Sequence, residues 1–257
     1  MQDIEQNKII RPIIIIPSRL ESTRLPKKAL KLINGKPMIW HVWSNATKAN
    51  IAPVIVATDS KEIQDIITKN DGNAIITNKE HTSGSDRVYE ALTKYDTEEN
   101  YNTVVNLQGD MPFFDPNLLK TLLSKIGNED IATLVCEATS SEIIDPNVVK
   151  AVISWDGEEK DHGNALYFSR SSIPYNAEFY WHHIGVYAWK RHSLKNFISL
   201  PPSQLELIEK LEQLRALENG MIIKAIKVDE NPIGVDTQSD LNRIKKLMEN
   251  KSESKLL

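Results

Sequence analysis

Short apolar runs and longer amphipathic stretches alternate along the first half of the chain. Ile13 to Ile16 precedes a helical pattern at Met38 to Asn50, and Val54 to Thr58 precedes Ser60 to Lys69. Ala74 to Thr77 then precedes Ser85 to Tyr95, and Val104 to Leu107 precedes Pro116 to Ile126. This alternation predicts an α/β fold, a mostly parallel, Rossmann-like twisted sheet with helices on both faces. From about Ile143 the pattern changes to Val148–Trp155, Ala165–Ser169 and His183–Trp189 with no helix between them, which predicts a smaller antiparallel portion. Ser203 to Asn219 reads as one helix, with Leu205, Ile208, Leu211 and Leu217 at helical spacing and Asn219-Gly220 as its stop. A last strand, Met221 to Val228, precedes a closing helix, Ser239 to Glu249, and the charged, serine-bearing tail 251–257 is expected to fray. No repeat or linker divides the chain, so a single domain is expected over 1–257, with parts at about 9–142, 143–200 and 201–250.

Ligands of such sheets bind beyond the carboxyl ends of the strands. That rule selects the loops Pro17 to Lys28, Thr58-Asp59 and Gln108 to Pro112. The first holds Arg19, Arg24, Lys27 and Lys28, four fixed positive charges that repel one another. Such a loop is either an ordinary solvated surface or the seat of a polyanion, and a nucleoside triphosphate is the obvious visitor. The chain as a whole has a net charge of −4 and a pI near 5.9, so neither nucleic acid nor an anionic membrane is attracted globally. A hydrophobic content of 40% and a charged content of 26% fit a globular chain with a full core. The single cysteine, Cys136, lies in an apolar run and reads as packing in a reducing compartment. Met1 to Lys8 is polar and no signal peptide fits there. No segment reaches the roughly twenty apolar residues of a membrane span, so a cytoplasmic protein is expected.

Asp110 follows a strand and stands between Gly109 and Pro112, a sharp exit that presents a carboxylate to a hard cation. Magnesium commonly takes one or two protein carboxylates together with substrate phosphates, and Asp236 is a plausible second one. Asp-Thr ahead of a helix is equally what capping requires. Neither a Gly-x-x-x-x-Gly-Lys-Ser/Thr loop nor Gly-x-Gly-x-x-Gly is present, so the phosphates would be held by the side chains of Arg19, Arg24 and Lys28. Nucleophilic triads and zinc spacing are also missing. His81 to Arg87 is a polar loop feeding a helix. It would accept an anion, or Ser83 or Ser85 would simply cap the helix. Glu206, Glu209 and Gln213 share one face of the expected helix, a polar face that solvent alone would satisfy.

Taken in order, these segments resemble the CMP-Kdo synthetases, the 3-deoxy-manno-octulosonate (Kdo) cytidylyltransferases. The resemblance is carried by Ile16-Pro17-Ser18-Arg19, Ser22 to Pro26 with Lys28, Gly35 to Ile39, Val56 to Asp59 and His81 to Arg87. It continues through Val105 to Asp110, Ala165 to Arg170 with Ile173-Pro174, His183 to Tyr187, Leu211 to Arg215 and Gly234 to Thr237. It implies transfer of CMP from CTP to the anomeric hydroxyl of Kdo with Mg2+, pyrophosphate as product, a role in lipopolysaccharide biosynthesis, and a cytoplasmic homodimer. The first part would bind the nucleotide, and 143–200 the sugar and the second copy. By the same resemblance Arg19, Arg24 and Lys28 grip the triphosphate, with Ser83, Gly84, Arg87 and Gln108 also toward the nucleotide. Asp110 and Asp236 hold the metal and, with Lys28, form the catalytic set. Gln108, Arg170, His183, Glu209 and Gln213 face the sugar. In-line attack of a hydroxyl on the α-phosphate depends mainly on positioning and charge neutralisation.

Four positions depart from that family pattern. Lys27 and Ala29 stand where Gly and Pro flank the loop lysine, Met111 replaces a Glu after Gly-Asp, and His182 replaces a Lys. The last makes pH-sensitive sugar binding an expectation. A cytidylyltransferase for another acidic sugar such as sialic acid, and a non-catalytic nucleotide-binding protein of the same fold, are the alternatives. A methylerythritol-phosphate cytidylyltransferase fits less well, because its loop is glycine-rich.

Overall fold

The computed structural model describes residues 9–253, so the reading of Met1 to Lys8 and the last four residues of the expected tail lie outside it. The chain opens with β1 (Pro12–Ser18), a two-residue pair β2 (Leu32–Ile33) and β3 (Lys36–Pro37), and α1 (Met38–Lys48). Alternation continues through β4 (Val54–Thr58), α2 (Lys61–Thr68), β5 (Asn73–Ile76), α3 (Gly84–Tyr95), β6 (Thr103–Asn106) and α4 (Asn117–Lys125). Then come β7 (Ile131–Glu137), α5 (Ser140–Ile144), β8 (Lys150–Trp155), β9 (His162–Ser169) and β10 (Trp181–Lys190). The chain ends with α6 (Arg191–Ser199), α7 (Gln204–Glu209), α8 (Gln213–Glu218), β11 (Ile223–Lys227) and α9 (Gln238–Glu253).

Nine strands form one sheet in the order β5-β4-β1-β6-β10-β7-β11-β9-β8. Parallel pairing runs through β5-β4-β1-β6 and recurs between β7 and β11. The expected antiparallel portion is not a separate part. β10 runs against β6 and β7 between them, and β9 runs against β11 and β8, so the reversed strands are interleaved in the one sheet. Reversal puts the first residues of β10, His182 and His183, toward the carboxyl edge of β6, because Tyr187 already pairs with Asn106.

The four isoleucines of β1 explain the two main cores. Successive strand side chains point to opposite faces. Ile14 and Ile16 pack with Ile39 and Val42 of α1 and Leu119 and Leu122 of α4, while Ile13 and Ile15 pack with Val88 and Leu92 of α3 and Phe197 of α6. All four are 0% exposed, and each such burial contributes about 1.5–3 kcal/mol. A third cluster joins Leu25 of the cationic loop to Val235 and to Leu241 and Ile244 of α9. It brings the far end of the chain onto the first loop.

Two expectations need correction. The helix expected over Ser203 to Asn219 breaks at Lys210, whose left-handed backbone (φ 57°) caps α7 through an N–H that donates to Glu206 O. Ile208, expected inside, is 67% exposed, and Gln213, which begins α8, does not share a helical face with Glu206 and Glu209 of α7. The closing helix reaches Glu253, so the first three residues of the tail are helical rather than frayed. Cys136 is buried as read, and burial pushes its thiol up to about 12. No helix among the described residues is long and apolar enough to cross a membrane.

Candidate active site

The carboxyl edge of β1 and β6 opens into a cleft of about 300 Å3 walled by the cationic loop, the start of α3 and the Gln108-Gly109-Asp110 turn. Gly109 makes the close approach possible, since a Cβ there would lie 2.7 Å from the carbonyl oxygen of Pro17. Asp110 is thereby brought under the loop. The backbone N–H of Val235 donates to Asp110 O at 2.8 Å, and Phe113 bridges Ile233, so the segment bearing Asp236 is fastened to the same turn.

Lys28 stands at the centre. Its Nζ donates to Asp110 Oδ2 at 2.7 Å and Asp236 Oδ1 at 2.9 Å, and Arg24 reaches Asp236 Oδ2 at 3.1 Å. Burial opposes the Lys28 charge, but the two carboxylates outweigh it and raise its pKa above the usual lysine value. Asp236 does not cap α9. Thr237 and Asp240 do so reciprocally: Asp240 Oδ2 accepts from the Thr237 N–H at 2.8 Å, and Thr237 Oγ1 accepts from the Asp240 N–H. The Asp236 carboxylate is left to the cations.

The remaining nucleotide-side candidates also line this cleft: Arg19, Ser83, Gly84, Arg87 and Gln108. Ser83 caps α3, accepting from the Asp86 N–H at 3.1 Å and donating to its carboxylate at 2.8 Å. Arg87 is 3% exposed, and its guanidinium donates to Thr77 Oγ1 and to Asp59 Oδ2. Asp59 in turn accepts the Leu20 N–H at 2.9 Å. A buried arginine thus holds the cationic loop through one carboxylate, a link invisible in sequence because Asp59 and Leu20 are 39 positions apart.

A second, wider cleft of about 630 Å3 shares Arg24, Gln108, Asp110 and Asp236 with the first and extends to His182, His183, Asp145 and Asn147. His183 lies behind a bulge in β10 at Gly185-Val186, where its Nε2 pairs with Thr133 Oγ1 at 3.0 Å and its ring meets Phe168 edge-on. Burial pulls its pKa down to about 3, so it is neutral. His182 Nδ1 is 3.2 Å from Glu142 Oε1, and burial lowers its pKa despite that carboxylate. Met111 is packed in the apolar core, the place where the family pattern has a carboxylate.

Arg170, Glu209 and Gln213 are not among the residues lining either cleft. The Glu209 carboxylate accepts from Ser169 Oγ (2.6 Å) and the Arg170 N–H (3.1 Å), while Arg170 Nε donates to Glu209 O and Nη1 to Pro146 O. They form a clasp between α7 and the exit of β9. Gln213 is buried at the start of α8. Beside it, Glu212 was not singled out by the sequence. Burial raises its pKa, the hydroxyls of Ser83 and Ser85 face it, and its Oε1 is without a partner. The break at Lys210 puts Glu212 at the N-terminal end of α8, apart from the α7 residues Glu206 and Glu209.

The chain matches the cytidylyltransferase sequence family over residues 13–226. A 3-deoxy-manno-octulosonate cytidylyltransferase of Paramagnetospirillum magneticum is 48% identical over 242 residues, 93% of this chain and 98% of the relative. Its counterpart in Bartonella henselae is 48% identical over 244 residues, 93% of this chain and 99% of the relative. A solved structure of CMP:2-keto-3-deoxy-manno-octonic acid synthetase complexed with CTP superposes with a TM-score of 0.85 at 37% identity, over 94% of this chain and 99% of that one. A 4-diphosphocytidyl-2C-methyl-D-erythritol synthase from Anaerococcus prevotii shares the fold, with a TM-score of 0.64 at 12% identity over 93% of this chain and 99% of that one.

Proposed function

The chain belongs to the 3-deoxy-manno-octulosonate cytidylyltransferase family, and on that footing we propose that it transfers CMP from CTP to the anomeric hydroxyl of Kdo, releasing pyrophosphate. The observation that carries this reading is the junction of two clefts at Arg24, Gln108, Asp110 and Asp236. A triphosphate fits the cationic side and a polyhydroxylated acid the wider one, with the reacting atoms meeting between them. The sugar hydroxyl oxygen forms a new bond to the α-phosphorus as the α–β anhydride bond breaks; the electron pair leaves on pyrophosphate and the hydroxyl proton is released to solvent.

Arg19, Arg24 and Lys28 neutralise the triphosphate, and Ser83, Gly84 and Arg87 seat the nucleotide above the start of α3. Gln108 separates the two substrates, and His183, a neutral imidazole, meets sugar hydroxyls rather than the carboxylate. Arg170, Glu209 and Gln213 act on the sugar side by shaping the wall they brace. Asp110 and Asp236 suit magnesium: two hard oxygen donors from separate loops, already converging on one cation, the Lys28 ammonium. When bound, magnesium supplies charge neutralisation at the phosphates.

The product would feed lipopolysaccharide synthesis from the cytoplasm. We further infer a homodimer, in which the second copy covers the exposed apolar side chains of Tyr175, Leu207 and Ile208.

Pyrophosphate release from CTP is the test, with Kdo or sialic acid as acceptor and with or without magnesium. Release is expected only with Kdo and magnesium, and Asp110→Ala lowers kcat by about 10^2–10^3, in the range of lost charge stabilisation. Release with sialic acid instead would overturn the acceptor. CTP binding without turnover would favour a non-catalytic binder.

A further inference from the structure

Lys150, the first residue of β8, is 0% exposed. Its ammonium donates to three backbone carbonyls, Val148 O at 2.6 Å, Arg170 O at 2.7 Å and Asp145 O at 2.8 Å. Three donors meet three acceptors and none is left over. Nothing in the pairing of β8 with β9 calls for a charge at this place, and an apolar side chain would fill it without the cost of desolvating an ammonium. What the ammonium alone provides is a set of donors converging from one point onto two separate segments.

One segment lines the wider cleft, and the other lies outside it and closes on the first. Asp145, Asn147 and Val148 form the turn that lines the wider cleft, and Arg170 is the exit of β9. The next residue, Val149, accepts the His183 N–H at 2.8 Å, and Arg170 Nη1 closes on Pro146 O from the other side. The lysine therefore sits at the crossing of the cleft wall, the Arg170-Glu209 clasp and the strand that carries His183.

We propose that Lys150 is a positioning residue for the acceptor sugar: without touching substrate, its ammonium holds the Asp145–Val148 wall in register with His183 and with the exit of β9. The proposal rests on the reading of the wider cleft as the seat of the sugar. Its consequence is a defect confined to one substrate.

Steady-state kinetics of Lys150→Met should show the KM for Kdo raised about tenfold or more, the scale of a misplaced binding wall, with the KM for CTP moved less than twofold. Lys150→Arg keeps the charge but not the three-pronged geometry, and raises the Kdo KM by less. It decides the matter if the Met variant does not fold. Equal changes in both KM values, or an unmoved Kdo KM, would overturn the role. Hydrogen exchange separates this idea from the functional reading, because it needs no sugar. The amides of Asn147 and Val148 should exchange about tenfold or more faster in Lys150→Met, as expected for local opening of an unlatched turn, with Leu20 unaffected. Unchanged exchange at those amides would sink the proposal even if Kdo is turned over.

Discussion

His183 is enclosed between Phe168, Tyr187 and Thr133, and its folded pKa of about 3 lies far below the ordinary histidine value of 6.5. The unfolded chain takes up a proton below 6.5 that the folded one refuses, so stability is present above that pH and falls as pH is lowered through it. The slope is roughly 1 kcal/mol per pH unit for one such group. Urea titrations at pH 7.5, 6 and 5 should show this loss in the wild type and a smaller loss in His183→Gln, even if that variant starts out less stable. His182, also lowered by burial, adds to the same acid-side loss. Both histidines are therefore uncharged at neutral pH, and the fixed cations beside Asp110 and Asp236 are Arg24 and Lys28.

Lys210 shows how one backbone position divides an element. A non-glycine residue in the left-handed region is strained, and glycine relieves that strain. Lys210→Gly should therefore raise stability by about 0.5–1 kcal/mol, read as a higher urea midpoint with an unchanged slope, while Lys210→Val should lower it. The break also marks where sequence patterning stops being informative. The strand-helix alternation through α4 was legible because each element has its own period. β7 to β11 were legible as strands but not in their places, since pairing order depends on contacts distant in sequence. The same division runs through the site. Lys28, Asp110 and Asp236 stand in strand-to-helix loops and announce themselves by charge, whereas the Asp59–Leu20 link spans 39 positions, Glu212 follows a helix break, and Lys150 joins its neighbouring turn to a strand exit 20 positions on.

At the scale of the molecule, the most exposed large apolar side chains of the later part are Tyr175 at 92%, Ile144 at 78%, Ile208 at 67% and Leu207 at 65%. Isolated exposed apolar residues are ordinary, so the inferred homodimer needs a direct measurement. Sedimentation should give a dimer for the wild type and a monomer for Leu207→Asp with Ile208→Asp, the charge pair being intolerable in a buried interface; two identical profiles would argue for another face. The junction itself has a consequence for how the protein is made. Lys28 and Asp236 bond across 208 positions, and the third core packs Leu25 against Val235 and α9. A ribosome that has synthesised only the first three-quarters of the chain has delivered the cationic loop without the Asp236 carboxylate and the α9 packing that anchor it. A chain without Asp236 and α9 therefore leaves Lys28 with one of its two carboxylates and Leu25 without its packing partners.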